Sequence, residues 1–429
     1  MRPAAQVQAT IDLLDEIAAS GYPADRVMAQ YFRSNRYIGS KDKAAISEYF
    51  YTVLRNKLGY TYLLDQVGVS WGNRQLMAVL LKEQGQDLAA LFNGQQYSPK
   101  PLAINDLAKL EALDLTALQD APLHVQLGVP DWLAAGLEDS LGEAYEREMR
   151  ASNRRASTDI RVNTLKADVP SALSELEKLG YSLKTGQLSP WCLRFDGRVG
   201  LFGLKSFNQG WFEVQDQGSQ VLALISRVKA GDRVVDFCAG AGGKTLAMAA
   251  MMENKGSIDA CDVHGKRLQQ LSKRAKRAGA HNIRVHTLTS ERDKWVKQHK
   301  EKADLVLIDA PCSGTGTWRR SPDSRWNLQP ENLENLQQLQ QSIMQSASRL
   351  VRPGGRLLYA TCSLLKSENE AQIEQFLQDT EEFELGEIVL PAELAEQRDR
   401  IEFKTHQLRL FPFLSETDGF YVCELRRKG

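Results

Sequence analysis

An α/β fold built on a parallel sheet, entered through a small α/β insert and an all-helical N-terminal region, is what this sequence predicts. Three observations carry that expectation. From Arg233 onward, short apolar runs alternate with longer helical patterns, which reads as a parallel sheet covered on both faces. Residues 1–140 show helical periodicity only. Between the two regions, strand-like runs flank a single amphipathic helix. The expected domains are therefore 1–140, 141–228 and 229–429, and the chain is expected to act as a monomer.

In the first region Val7, Ile11, Leu14 and Ile17 recur at helical spacing, as do Ile46, Phe50, Val53 and Leu54. The Gly/Gln/Pro-containing stretch 93–101 reads as a loop. Next come a strand over 159–163, a helix over 170–179 and a strand over 191–195. A glycine-rich, aromatic stretch, 199–211, leads into a helix over about 217–227. The strands expected for the main sheet are 234–237, 257–261, 283–285, 305–308 and 356–360. In sheets of this kind ligands lie at the carboxyl ends of the strands, so the chemistry should be found there.

Composition narrows the class. The 429 residues are 42% hydrophobic and 25% charged, an ordinary globular balance. No apolar run approaches the ~18 residues that a membrane span needs, and the first ten residues lack a secretory pattern. Six cysteines without a CxxC pair, and six scattered histidines, argue against a disulfide framework or a zinc site. The expectation is a cytoplasmic protein with reduced thiols and no metal. The net charge of zero speaks against non-specific coating of nucleic acid, but the distribution is uneven. Twelve Lys/Arg face three Asp/Glu between Lys266 and Lys302, whereas ten acids face three bases between Ala103 and Arg150. The basic run suits either a phosphate-facing surface or a solvated helix face.

The strand at 234–237 opens onto Cys238-Ala-Gly-Ala-Gly-Gly-Lys-Thr245 and a helix. A Walker A loop would need glycine at 238, and a dinucleotide fingerprint would need glycine at 245. What remains is a glycine loop preceded by an acid, Asp236, with a second acid, Asp262, ending the next strand. A carboxylate there can accept hydrogen bonds from both hydroxyls of a ribose.

Two further strands end in cysteines. One runs into Asp309-Ala-Pro-Cys-Ser-Gly-Thr-Gly316, the other into Thr361-Cys-Ser363. Each cysteine alone reads more readily as a structural residue than as a nucleophile. Two at the active rim of one sheet, on strands expected to be neighbours, favour chemistry. Carbon 5 of cytosine is too weak a nucleophile to take a methyl group directly, and a thiolate adding to carbon 6 pushes electron density onto it. Asp309 is placed to hydrogen-bond the polar edge of the base. Methylation of an exocyclic nitrogen needs no cysteine and commonly uses a Pro-Pro-aromatic turn after the acid; here the turn is Asp-Ala-Pro-Cys.

These three motifs, Asp236 to Thr245, Asp309 to Gly316 and Tyr359-Ala-Thr-Cys-Ser363, resemble the RsmB/Nop (Fmu/Sun) family of RNA 5-methylcytosine methyltransferases. The likeness extends to Arg161-Val-Asn163, to 210–220, to Arg319-Arg-Ser-Pro-Asp323 and to Asp418-Gly-Phe-Tyr421, covering roughly 155–429. It implies a class I S-adenosylmethionine-dependent (Rossmann-like) catalytic domain. It also implies that Cys362 attacks carbon 6 and that Cys312 assists release of the methylated RNA. The cofactor set it suggests is Asp236, Cys238, Ala239, Gly240, Ala241, Gly242, Gly243, Lys244, Asp262, Arg267 and Asp309. Two departures stand out. Gly240-Ala241 replaces the usual Ala-Pro of the loop, and Thr287-Leu-Thr-Ser290 stands where the family has an acid beside the adenine. Residues 41–55 are faintly similar to the NusB-like RNA-binding domain of bacterial RsmB proteins, which favours ribosomal RNA over transfer RNA as partner. A non-catalytic RNA-binding assembly factor would be expected to have lost a thiol or a cofactor acid, and neither is missing.

Overall fold

The computed structural model describes residues 1–197 and 199–429. The chain divides into two compact units, one of Met1–Arg154 with Trp318–Leu328, the other of 155–317 and 329–429. None of the helices among the described residues is long and apolar enough to cross a membrane.

The first unit is helical. Helix Pro3–Ser20 turns Val7, Ile11 and Leu14 inward, and Ser40–Gln66 contributes Ile46, Phe50, Val53 and Leu54 to the same core. Both stripes follow the expected 3.6-residue period. The segment Trp318–Leu328 is built into this unit although it follows the Pro-Cys motif in sequence. Its Arg325 is buried and donates to the Gly128 carbonyl (2.9 Å) and to Asn153 Oδ1 (2.7 Å). Trp326 Nε1 donates to the Leu54 carbonyl, and Asp323 accepts from the Ala24 amide. The Arg-Arg-Ser-Pro-Asp motif is thus an internal strut of the helical unit.

The second unit holds two sheets. The smaller has β1 (Thr158–Val162), β2 (Leu183–Thr185), β3 (Cys192–Phe195) and β4 (Phe212–Val214) in the order β2-β3-β1-β4, all antiparallel. Helix Val169–Lys178 covers it through Ala172 and Leu176, against Ile160, Val162, Leu193 and Phe195. Strands β2 and β4 have three residues each, too short to show a period in the sequence.

The larger sheet is made of β5 (Arg233–Asp236), β6 (Ser257–Asp262), β7 (Ile283–Thr287), β8 (Ala303–Asp309), β9 (Val351–Thr361), β10 (Phe383–Leu385), β11 (Glu402–Lys404), β12 (Gln407–Leu410) and β13 (Phe420–Arg427). Its order is β11-β12-β13-β9-β8-β5-β6-β7, with β10 paired to β13. Strands β9-β8-β5-β6-β7 are parallel, as the alternation predicts. The purely parallel expectation needs correction at one edge, because β10 to β13 pair antiparallel. The Tyr421↔Thr361 and Leu425↔Leu357 pairs close the β9 edge that an all-parallel sheet would leave open. Parallel β8 and β9 are neighbours, with Asp309 opposite Ala360.

Candidate active site

Strands β5, β6, β8 and β9 deliver their carboxyl ends to one cavity of about 730 Å³. Its lining includes Asp236, Cys238, Asp262, Asp309, Cys312 and Cys362. The side chain of Arg267, and residues 239–241, 243 and 244 of the loop, reach it as well. This convergence follows from the register, because Asp236 lies opposite Leu307 and Asp309 opposite Ala360.

The glycine loop leaves β5 and caps the helix Gly243–Met251. Gly242 has φ 84°, and a Cβ there would meet Leu271 at 2.4 Å, so only glycine fits the turn. The loop is held from outside by Asp262, whose Oδ2 accepts from the Gly240 amide (2.8 Å) and whose Oδ1 accepts from the His264 amide (2.7 Å). Arg161, fully buried from β1, donates to the Gly243 carbonyl and to Gln215, both at 2.7 Å. Burial pushes the Arg161 pKa down to about 10, which still leaves it charged at neutral pH. The Arg-Val-Asn motif therefore braces the loop, and Asn163 bonds the Gly210 and Ala278 carbonyls beside it.

Asp236 accepts from Thr245 Oγ1 at 2.6 Å, while its other oxygen is buried without a partner among the described residues. Burial, only partly offset by the Thr245 bond, raises its pKa to about 7. An orphaned acceptor of this kind suits a cationic group in the cavity. The glycine turn, this oxygen and Asp262 together fit S-adenosylmethionine. Asp262→Ala is expected to weaken cofactor binding by about 1.5–3 kcal/mol, the scale of hydrogen bonds to a charged group. Unchanged affinity in calorimetry, with the fold intact, would remove Asp262 from the binding set.

Lys244, the last cation of the loop, departs from the simple cofactor expectation. Its Nζ is 2.7 Å from Asp309 Oδ2 and lies over the Phe420 ring at 5.7 Å. Burial alone would lower its pKa, but Asp309, assisted by Cys362 and Asp236, outweighs burial and raises it. The ammonium thus belongs to the thiol end of the cavity.

There Cys312 Sγ and Cys362 Sγ lie 3.3 Å apart. The hydrogen bond to Cys362, then burial, hold the Cys312 thiol well above its usual pKa. Burial raises Cys238 similarly, with Asp262 and Asp309 adding to the effect, which makes it an inert wall residue.

Some lining residues carry no signal in the sequence. Glu291 faces the cavity beside Leu288, just past the Thr287–Ser290 departure, and burial does not hold it up: a Ser342 hydrogen bond lowers its pKa. Arg274 comes from an element outside the motifs, whereas Gln215 and Ser219 belong to the 210–220 stretch of the family likeness. The basic run is not one phosphate-facing surface. Arg274 and Arg277 are paired to buried Glu213 of β4, and Arg284 is paired to Asp259. Arg319 is buried in the helical unit. Lys266, Arg267, Lys273 and Lys276 on helix Gly265–Ala278 stay exposed.

Known proteins similar to this chain include methyltransferases. A family model described as 16S rRNA methyltransferase RsmB/F matches residues 223–426. One described as the ferredoxin-like domain of RsmF/B-like methyltransferases matches residues 129–201. The probable ribosomal RNA small subunit methyltransferase B of Synechocystis sp. is 36% identical over 310 residues, which span 71% of this chain and 68% of that protein. The corresponding protein of Bacillus subtilis is 28% identical over 427 residues, 94% of each chain. Among solved structures, a methyltransferase homolog protein from Pyrococcus horikoshii aligns at 28% identity and TM-score 0.59, covering 71% of this chain and 97% of that one.

Proposed function

Since the chain belongs to the RsmB/F family and is an S-adenosylmethionine-dependent RNA methyltransferase, we propose that it methylates carbon 5 of cytosine in 16S ribosomal RNA. The observation that carries this reading is the pair of touching thiols beside the Lys244–Asp309 ion pair. Oxygen or nitrogen methylation has no use for two thiols in contact, whereas carbon methylation needs one to add and gains from a second when the adduct breaks down.

In the proposed mechanism Cys362 adds as thiolate to carbon 6, and electron density moves to carbon 5. Lys244 supplies a positive charge in the same cavity as the attacking sulfur. Asp309, steered by Lys244, accepts from the exocyclic amine and holds the ring in register. S-adenosylmethionine, when bound, would supply an electrophilic methyl group to carbon 5, its sulfonium S–CH3 bond breaking to leave S-adenosylhomocysteine. The proton on carbon 5 then leaves, and the electrons of that bond re-form the ring double bond as Cys362 departs. Cys312, whose sulfur lies 3.3 Å from that of Cys362 before the RNA binds, relays protons in this second stage. Base flipping costs about a few kcal/mol, so a looped or single-stranded cytosine is the expected target.

Digestion of methylated RNA to nucleosides tests the proposal. Unmethylated 16S ribosomal RNA incubated with the protein and labelled S-adenosylmethionine should yield 5-methylcytidine, with one cytosine protected in bisulfite sequencing. Label on any other nucleoside would overturn it, and a preference for transfer RNA would move the substrate.

A further inference from the structure

Cys312 and Cys362 are each followed by a serine, and both serines turn toward a single carboxylate. Ser313 and Ser363 are buried, and their hydroxyls both donate to Glu368 Oε2 at 2.5 Å. Glu368 Oε1 accepts from the Ser313 amide (2.8 Å) and from Gln340 Nε2 (2.9 Å). The Glu368 side chain is fully buried, and its carbonyl takes the Tyr359 hydroxyl at 2.7 Å. The two Cys-Ser steps are therefore fastened at one point behind the thiols, while the sulfurs meet in front at 3.3 Å.

We infer that Glu368 is a positioning residue that sets the separation and orientation of Cys312 and Cys362. The inference rests on the two-thiol reading of the site. Direct bonds also join the two loops, the Gly316 amide to the Cys362 carbonyl at 2.9 Å and the Leu364 amide to Thr315 Oγ1 at 2.8 Å, but Glu368 is the charged group on which both Cys-Ser steps converge. Four donors converge on one carboxylate from segments 55, 28 and 5 residues away in sequence. A plain structural brace would show itself in stability and cofactor affinity only. A positioning residue would show itself in the encounter of the two sulfurs, because displacement by about 1 Å can cost on the order of 100-fold in rate.

The test uses the full chain with Glu368→Gln and Ser363→Ala. Glutamine keeps the volume but sets a donor against the Ser313 amide and Gln340, or forces both serine hydroxyls to reverse. Diamide takes two electrons and two protons from a thiol pair and leaves a disulfide, so the rate of the two-hydrogen mass loss measures how readily Cys312 meets Cys362 without any methylation. Both variants should slow this coupling about 10-fold or more and lower kcat comparably. The KM for S-adenosylmethionine should stay close to the parent's in variants that remain folded, although the melting temperature falls because buried donors lose their acceptor. Coupling at the parental rate in folded variants would overturn the inference. If Glu368→Gln does not fold, Ser363→Ala decides alone when read against Thr315→Val. The serine change removes one of the four bonds to Glu368 together with the hydroxyl's contacts to Ser313, Thr315 and the Leu365 amide. The threonine change removes a loop contact that does not involve Glu368 and should leave the coupling rate near the parent's. Slowed coupling with unchanged methylation would leave the positioning inference standing and sink the two-thiol mechanism instead.

Discussion

Cys362→Ala is expected to abolish methyl transfer and to form no covalent RNA adduct, whereas Cys312→Ala is expected to accumulate one. The asymmetry follows from two-stage chemistry. Without Cys362 nothing activates carbon 5, and the loss should exceed about 1,000-fold, equivalent to about 4 kcal/mol of barrier. Without Cys312 the attacking sulfur, the cofactor loop and the Lys244–Asp309 pair are all still present, so the first stage proceeds and the second stalls. A denaturing gel of each variant with substrate RNA and S-adenosylmethionine reads the result. A stable band with Cys362→Ala and none with Cys312→Ala would exchange the two assignments.

Asp309→Asn should be the next most damaging change, lowering kcat by about 100- to 1,000-fold, the range seen when one preorganised electrostatic contact is lost. Two effects act together. The amide cannot carry the charge that complements the polar edge of the base, and Lys244 loses the partner that opposes burial. Breaking the pair should also cost stability, about 1–3 kcal/mol, because Lys244 is nearly buried although Asp309 keeps a third of its side chain in solvent. The sign with pH is definite. Lys244 has a raised folded pKa, so the pair's contribution is complete at neutral pH and is lost only as pH rises through that raised value. The parent and Asp309→Asn should therefore differ in melting temperature at pH 7 and converge in strong alkali. The double variant with Lys244→Met should be less harmful than the sum of the singles, since the two groups act as one unit. Full additivity in kcat would show that Lys244 and Asp309 work independently.

Much of the catalytic unit is legible in the order of residues. Alternating runs from Arg233 onward imply parallel strands, and the strand-end rule locates the glycine loop, Asp236, Asp262 and both cysteines at one rim. These readings succeed because they depend on local order: a strand, the turn after it and the residue types in that turn lie within about ten residues of one another. Charge patterning is less informative, since a run of basic residues does not reveal that Arg274 and Arg277 are spent on buried Glu213.

Folding adds what depends on distant partners. Lys244 finds Asp309 across 65 residues, Cys312 finds Cys362 across 50, and Glu368 gathers Ser313 and Gln340 from other elements. Strand β13 closes the β9 edge, and the three- and four-residue strands β10, β11 and β12 form beyond it because pairing with an existing edge supplies the ladder that an isolated short strand lacks. Residues 318–328 follow the Pro-Cys motif directly yet bury Trp318 and Arg325 among helices from the start of the chain. The amino-acid order alone fixes which chemistry the protein carries, because reactive residue types and local turns are written consecutively along the chain. Which groups touch is fixed only in the folded protein, because sheet register and packing, not sequence separation, set the distance between atoms.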